Sequence, residues 1–451
     1  MATLEQVFGI SASPVLSYTE RPNVDGRFVN AIRGSHHIVV YGSSKQGKTA
    51  LRQKHVSVGQ CVVYRCGPRS VPMSIYQSLL TEAGIQIAVS ESRSDAVRGG
   101  VKAGWGLKCS LPWVGGGSAK GEASTEAEVQ KLMTSEFIDV DLADAQVVGN
   151  MLKAAGFSRF VVIENYHYLS HESQVDLAMD LKTFHEMGIR FLILGVWRES
   201  NLLFIHNHDL QDRISEIPVE PWDDGAFDEV INAGATQLHV GIPIEARDEF
   251  KRNSYGNVGL LQEFLKTYCQ LNEVSETLET PRELDTHGTI QETLRLKAED
   301  QRGRLLSALQ DISSKSRPER RPGRDDPLTL PYYLTQVLLT APIDELRDGI
   351  SRPHLLDKIR ALHRRENKNT IRPNDVIHLT NRLPLLQEGR QAPFLYFVND
   401  KLRIADAGLL FALARVDRDS MRDEIVDPLY DYSDEGDPSD ADADTERPLL
   451  D

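Results

Sequence analysis

The feature that most constrains this chain is an octapeptide, Gly42-Ser43-Ser44-Lys45-Gln46-Gly47-Lys48-Thr49, set directly after the apolar run His37-Ile38-Val39-Val40-Tyr41. It fits the pattern G-x-x-x-x-G-K-[ST] at every fixed position. The two glycines let the backbone curl and turn its N–H groups inward, where they can bind phosphate oxygens at the start of a helix. In this reading Lys48 reaches the outer phosphates and the Thr49 hydroxyl ligates Mg²⁺, while Gly42, Ser43, Ser44, Lys45, Gln46 and Gly47 form the cradle. Such a loop needs a strand before it and a helix after it, and Lys48-Thr49-Ala50-Leu51-Arg52 begins that helix.

The rest of the first half agrees with an α/β fold. Short apolar runs at 61–64, 160–163 and 191–194 read as strands, and a last strand is expected at 214–219. Helical spacing appears between them, at Ile75, Leu79 and Leu80, at Val147, Val148, Met151 and Leu152, and over 175–184. Unbroken apolar strands alternating with helices predict a parallel sheet covered on both faces. Residues 98–127 interrupt this pattern. Val101, Ala103, Trp105, Leu107, Cys109 and Leu111 alternate with other residues, and Gly115-Gly116-Gly117 can turn the strand back, so a β-hairpin insertion is expected.

A nucleotide site needs an acidic residue at the end of a neighbouring strand. Phe160-Val161-Val162-Ile163 is followed by Glu164 and Asn165, so Glu164 is assigned to Mg²⁺ and Asn165 to orienting a water. The other frame makes Glu164 the water-activating group and leaves Ile163 at the metal position. Asn165 is no base, so any hydrolysis is expected to be slow or conditional. No Asn-Lys-x-Asp motif follows the loop, which favours ATP over GTP.

With these features in order, the chain over about residues 15–270 resembles the AAA+ and STAND ATPases of bacteria, in particular initiator and transposon target-selection ATPases. Arg21 and Asp25 look like their lead-in beside the adenine, and Ile163-Glu164-Asn165-Tyr166-His167-Tyr168-Leu169 like their Walker B stretch. Phe191–Trp197 falls at the sensor-1 strand, without its usual polar residue. Residues 254–261 fall at sensor 2, with Val258 and Gly259 where an arginine is usual. Asp209-Leu210-Gln211-Asp212-Arg213 resembles the helix end that presents an arginine finger. The resemblance implies that Arg213 completes a neighbour's site in a homo-oligomer; otherwise Arg213 pairs with an acid at a helix end. Arg198 is a rival finger.

The expected organisation is a core over 1–222, a helical lid over 223–275, a helix and basic Pro-rich linker over 276–329, and a unit over 330–416. There, three helical segments and a hairpin at 394–404 resemble a winged helix, which implies a DNA or protein partner; its candidate nucleic-acid face holds Arg360, His363, Arg364, Arg365, Lys368 and Arg372. Residues 417–451 are expected to be an acidic, disordered tail. Ten acids and one arginine over 427–451 supply about nine of the chain's fifteen net negative charges, so the body is only mildly acidic. No run is apolar enough to span a bilayer, no leader pattern opens the chain, and the four cysteines lack disulfide or zinc spacing. These features predict a cytoplasmic ATP-dependent switch in DNA transactions or defence against mobile elements, with a non-hydrolysing ATP-binding scaffold as the alternative.

Overall fold

The computed structural model describes residues 1–9, 15–89, 107–110, 138–196, 207–286, 288–316, 327–365, 367–387 and 393–428. They divide into two compact units, Met1–Gly241 with Ser275–Arg282, and Ile242–Val274 with Glu283–Asp451.

The first unit is built on strands β1 (His37–Tyr41), β2 (Cys61–Arg65), β6 (Phe160–Glu164), β7 (Phe191–Gly195) and β8 (Ile214–Pro218). They form one parallel sheet in the order β2-β6-β7-β1-β8. Successive residues of each central strand enter different cores. Val39, Tyr41, Val161, Ile163, Phe191 and Ile193 face one side, with helices α4 (Pro72–Glu82), α5 (Ala145–Ala154) and α6 (His171–Glu186). Ile38, Val40, Phe160, Val162, Leu192 and Leu194 face the other, with α2 (Pro22–Arg33) and Leu51 of α3 (Lys48–His55). Each such side chain, fully buried, contributes about 1.5–3 kcal/mol, and burial on both faces explains why the strands read as continuous apolar runs.

The expected insertion is only partly within the described residues. Strand β4 (Leu107–Ser110) pairs antiparallel with β3 (Gln86–Val89) and with β5 (Ile138–Val140). The described return strand is thus β5, far beyond the three glycines; Val101, Ala103, Trp105, Leu111 and the glycines lie outside the described residues.

The stretch expected as one lid, 223–275, divides between the units. Helix α7 (Asp224–Leu238) belongs to the first and packs on α1 (Leu4–Phe8). At Gly234 a Cβ would lie 2.1 Å from Phe8 Cζ, so only glycine admits that ring. Helices α8 (Ile244–Asn253) and α9 (Val258–Leu271) belong to the second unit, and Asn257 caps α9 through the Leu260 N–H.

The second unit continues with α10 (Thr289–Ser314), α11 (Leu330–Thr340), α12 (Arg352–Leu362) and α13 (Pro373–Asn381). A hairpin of β10 (Leu395–Val398) and β11 (Lys401–Ile404) follows, and β9 (Ile350–Ser351) pairs with β11 to make a three-stranded antiparallel sheet. Its core includes Leu305, Leu309, Tyr333, Val337, Leu355, Ile359, Leu379 and Leu402. The acidic tail begins later than residue 417. Helix α14 (Ala407–Arg415) is followed by α15 (Arg418–Asp423), and Met421 and Ile425 are buried in the same core. Two apolar anchors outweigh the local acidity; residues 429–451 lie outside the described residues. No helix among the described residues is long and apolar enough to cross a membrane.

One core residue carries a pH consequence. His37 opens β1, fully buried, and its Nδ1 accepts the Phe191 N–H at 3.0 Å, so Nε2 donates to the Leu181 carbonyl at 2.8 Å. Protonation would place two N–H donors face to face, and burial pushes the imidazole down to about 4. In unfolded chain it titrates near 6.5, so stability held above that value is lost as pH falls through about 4, by about 3 kcal/mol in all. Thermal midpoints measured from pH 7 to 4 should fall steadily, and a His37→Gln variant, less stable at neutral pH, should show a flatter profile. Equal slopes in the two proteins would exclude His37 as the cause.

Candidate nucleotide site

The loop leaves β1 at its C-terminal end and turns into α3. Gly42 has φ +155°, and a Cβ there would lie 2.5 Å from Val219 Cγ2, so the close approach of the chain after β8 requires glycine. Gly47, at φ +82°, is the left-handed N-cap of α3. Lys48 lies in the first turn, and its ammonium folds back onto the loop, donating to the Gly42 carbonyl at 2.9 Å and the Ser43 carbonyl at 2.6 Å. Burial pushes Lys48 down to about 8 against the opposing pull of Glu220. Its charge is thus held by two neutral carbonyls and a nearby carboxylate, an arrangement that a phosphate would improve. Ser43, Gln46 and Gly42 are buried, Ser44, Gly47 and Lys48 half-buried, and Lys45 and Thr49 exposed.

A second layer joins the loop to the start of the chain and to the segment after β8. The Ser43 N–H donates to Glu220 Oε1 at 2.8 Å. Arg21 donates to the Val219 carbonyl at 2.8 Å and lies over Trp222, its Cζ 3.7 Å from the ring centroid. Asp25 accepts from the Arg21 N–H at 2.7 Å, from Tyr18 Oη at 2.5 Å and from His55 Nε2 at 2.8 Å. Trp222 stacks on Phe227 with rings 6° from parallel, and its buried Nε1–H has no partner. The Arg21 and Asp25 of the lead-in therefore build one wall beside the loop, and Trp222 supplies an aromatic face.

The acid assigned to the metal already holds two ion-pair partners. Glu164 ends β6, which β7 separates from β1, so its strand is not the immediate neighbour of the loop strand. The Glu164 carboxylate is bound through Oε1 by Arg52 at 3.0 Å and through Oε2 by Arg65 at 3.1 Å. Arg52 stands on α3 one turn beyond Lys48, and its side chain is 6% exposed, that of Glu164 8%. A Mg²⁺ ion at Glu164 would have to displace at least one guanidinium, leaving Arg52 a buried charge without its partner. Asn165 is exposed, with left-handed φ of 58°. His167, three residues past Glu164, lies within electrostatic reach of Lys48; burial and that charge push it down to about 4, so it is neutral at pH 7. Its buried Nδ1 has no hydrogen-bond partner.

Arg213 lies at the opposite end of the sheet. It immediately precedes β8, and its carbonyl accepts the N–H of His37, the first residue of β1, whereas the loop follows the last. Its guanidinium pairs with Glu186 at 3.5 Å and donates to the Asp209 carbonyl. Within one chain it stands a full strand length from Lys48. Trp197 and Arg198 lie outside the described residues.

Arg52, Arg65, His167, Glu220 and Trp222 received no role from the sequence reading. Arg52 carries a usable signal, four residues after Lys48 and so on the same helix face. The others come close only through sheet order and loop path. Among the described residues no group of three or more His, Cys, Asp or Glu side chains is placed to hold a metal. The residues present thus fit a triphosphate with its Mg²⁺ held by Thr49, water and the phosphates themselves, and do not fit a cation held by a carboxylate cage.

Comparison with known proteins shows no family. No protein-family model matches the chain, and no curated protein matches its sequence. Among solved structures it is similar to a Walker-type ATPase of Pyrococcus abyssi, at 11% identity, over 90% of this chain and 99% of that one, with TM-score 0.46. It is also similar to the ORC1 protein of Aeropyrum pernix, solved in complex with DNA, at 12% identity, 92% and 98% coverage and TM-score 0.39. A RuvB variant of Thermotoga maritima aligns at 12% identity, 85% and 92% coverage and TM-score 0.38. Likenesses this distant assign no activity to this chain.

Two outcomes follow from the geometry. Binding phosphates should raise Lys48 above its depressed value, so ATP affinity is fully present below about pH 8 and is lost as pH rises beyond it, by up to about tenfold per unit. Lys48→Ala should weaken ATP by about 10- to 100-fold, the 1.5–3 kcal/mol of a charge-assisted hydrogen bond, and flatten that profile; titrations with labelled ATP from pH 7 to 9.5 decide it. For Glu164, Glu164→Gln should lower stability by about 3 kcal/mol or more, because Arg52 is left buried and unpaired, while changing Mg²⁺-dependent ATP affinity less than threefold. A stable variant that has lost its Mg²⁺ dependence would restore Glu164 to the metal.

Proposed function

We propose that this chain is an ATP-binding switch of the AAA+ or STAND type, cytoplasmic, in which nucleotide occupancy matters more than rapid turnover. The observation that carries it is Lys48 folded onto the Gly42 and Ser43 carbonyls at the head of α3. The loop already has the curl that phosphates need, and the ammonium need only exchange carbonyl oxygens for phosphate oxygens. ATP supplies a triphosphate and Mg²⁺ neutralises its charge; Thr49 is the proposed protein ligand.

Slow turnover follows from two features. Glu164 is neutralised by Arg52 and Arg65, and Asn165 has no proton-accepting group. Arg213 supports a role for assembly: placed at the opposite sheet end from Lys48, it can serve as a finger only for the site of a second copy. In the second unit, helices α11, α12 and α13 come before the hairpin of β10 and β11, which supports a winged-helix reading and a nucleic-acid or protein partner. Its candidate face is partly committed to its own fold, since His363 is buried and its Nε2 donates to the Leu328 carbonyl, and Arg360 caps the Ile371 carbonyl. A scaffold that binds ATP and never hydrolyses it is the second reading, favoured by the same Glu164 clamp.

Phosphate release under steady state, with size measured in parallel with and without a non-hydrolysable ATP analogue, separates these readings. The switch predicts turnover below about one per second, dependence on chain concentration, and at least a tenfold loss in Arg213→Ala without loss of ATP affinity. Turnover absent at all concentrations, with or without duplex DNA, would leave the scaffold.

A further inference from the structure

We infer that the acidic segment 429–451 docks, within the same molecule, on the basic surface around Arg364 of the second unit. The inference rests on that surface and not on the nucleotide site. The root of the segment is already seated there: Asp427, its side chain 4% exposed, binds the Arg364 guanidinium at 2.8 Å. What brings Asp427 to that place is α15, held by buried Met421 and Ile425, by Arg302 paired with Glu424, and by contacts of Gln310 and Ser313 with the carbonyls of Glu424 and Val426. The chain is thus delivered to the basic surface by folded structure, not by chance of a loose end.

The surface retains positive charge beyond what Asp427 balances. Arg360 and Lys368 bond through their cationic groups to the carbonyl oxygens of Ile371 and Ala361, which orient the cations without cancelling them. Arg372 is exposed at the start of α13, where Asp375 accepts its backbone N–H, and Arg364 is itself about half exposed. The segment beyond residue 428 carries nine acids against Arg447 over twenty-three residues. At up to about 3.3–3.6 Å per residue it has ample reach across this surface. Tethering at Asp427 makes the effective concentration of those acids high, in the millimolar range for short connections, so even a weak charge-charge attraction keeps the surface occupied at moderate salt. A polyanion such as nucleic acid would have to displace the segment first.

The test uses the full chain and a variant in which the nine acids of 429–451 are converted to their amides. A labelled peptide of residues 429–451 should bind the amide variant at least tenfold more tightly than the unaltered chain, lose that binding in high salt, and lose most of it when Lys368→Glu and Arg372→Glu are added. Equal affinity for both chains, or no binding to the variant, overturns the docking. A dimer of the unaltered chain that dissolves in the amide variant overturns its intramolecular form. Labelled duplex DNA provides the second arm. Peptide binding without DNA binding to either chain upholds the docking and removes the nucleic-acid reading of the second unit. Tighter DNA binding to the variant without peptide binding overturns the docking and leaves only a long-range charge effect.

Discussion

Everything at the nucleotide site depends on the pairing of β1 with β7 on one side and β8 on the other. Val39 lies opposite both Ile193 and Glu216 in register, and Tyr41 opposite Gly195 and Pro218. A strand paired on both edges and buried on both faces has no freedom to slide, because a slip of one residue would exchange its two sets of core side chains. The loop that follows therefore begins at a fixed point. Gly42 meets Val219 because β8 ends beside β1, and the Ser43 N–H finds Glu220 for the same reason. The segment after β8 thereby becomes one wall of the phosphate cradle, although 177 residues separate Ser43 from Glu220 in sequence.

Charge at the site is arranged in compensated groups. Lys48 has carbonyls and Glu220, Asp25 gathers Arg21, Tyr18 and His55, and Glu164 gathers Arg52 and Arg65. The last group is the most consequential. A buried carboxylate between two guanidiniums is a stable local solution, and breaking it leaves Arg52 uncompensated. A strand-end acid occupied in this way fits the proposed reading, in which nucleotide occupancy matters more than turnover. Rapid hydrolysis asks for that acid, or a base beside it, to be available to metal or water.

Much of this was legible in the residues themselves. The loop motif sits between the strand and helix it requires, and the central strands β6, β7 and β1 show as apolar runs because both faces are covered. Three helices and the hairpin of the second unit were legible for the same reason of periodicity. What escaped were features created by distance in sequence. The two-residue strand β9 exists only because β11 offers it an edge, and α15 is recruited by two apolar residues within an acidic stretch whose composition argues for disorder. Glu164 was placed at the right strand end, yet its partners were invisible, since Arg65 arrives from β2 and Arg52 from α3. The candidate basic face shows the converse: six basic residues close in sequence look like one surface, but His363 is buried against Tyr333 and Leu328.

The polarity of a parallel sheet makes one more relation unavoidable. All five strands run the same way, so groups at strand starts and groups at strand ends are kept a strand length apart, about 17 Å for five residues. Lys48, Glu220 and Glu164 belong to the strand-end side, whereas Arg213, Glu186 and His37 belong to the strand-start side. No rotation of the Arg213 side chain within one chain bridges that distance. A role for Arg213 in nucleotide chemistry therefore requires a second copy whose strand-start side meets the first copy's strand-end side. Such a contact can close into a ring, continue as a filament, or be doubled in a twofold dimer whose chains lie antiparallel, each lending Arg213 to the other's site. Within a single chain Arg213 keeps its ion pair with Glu186.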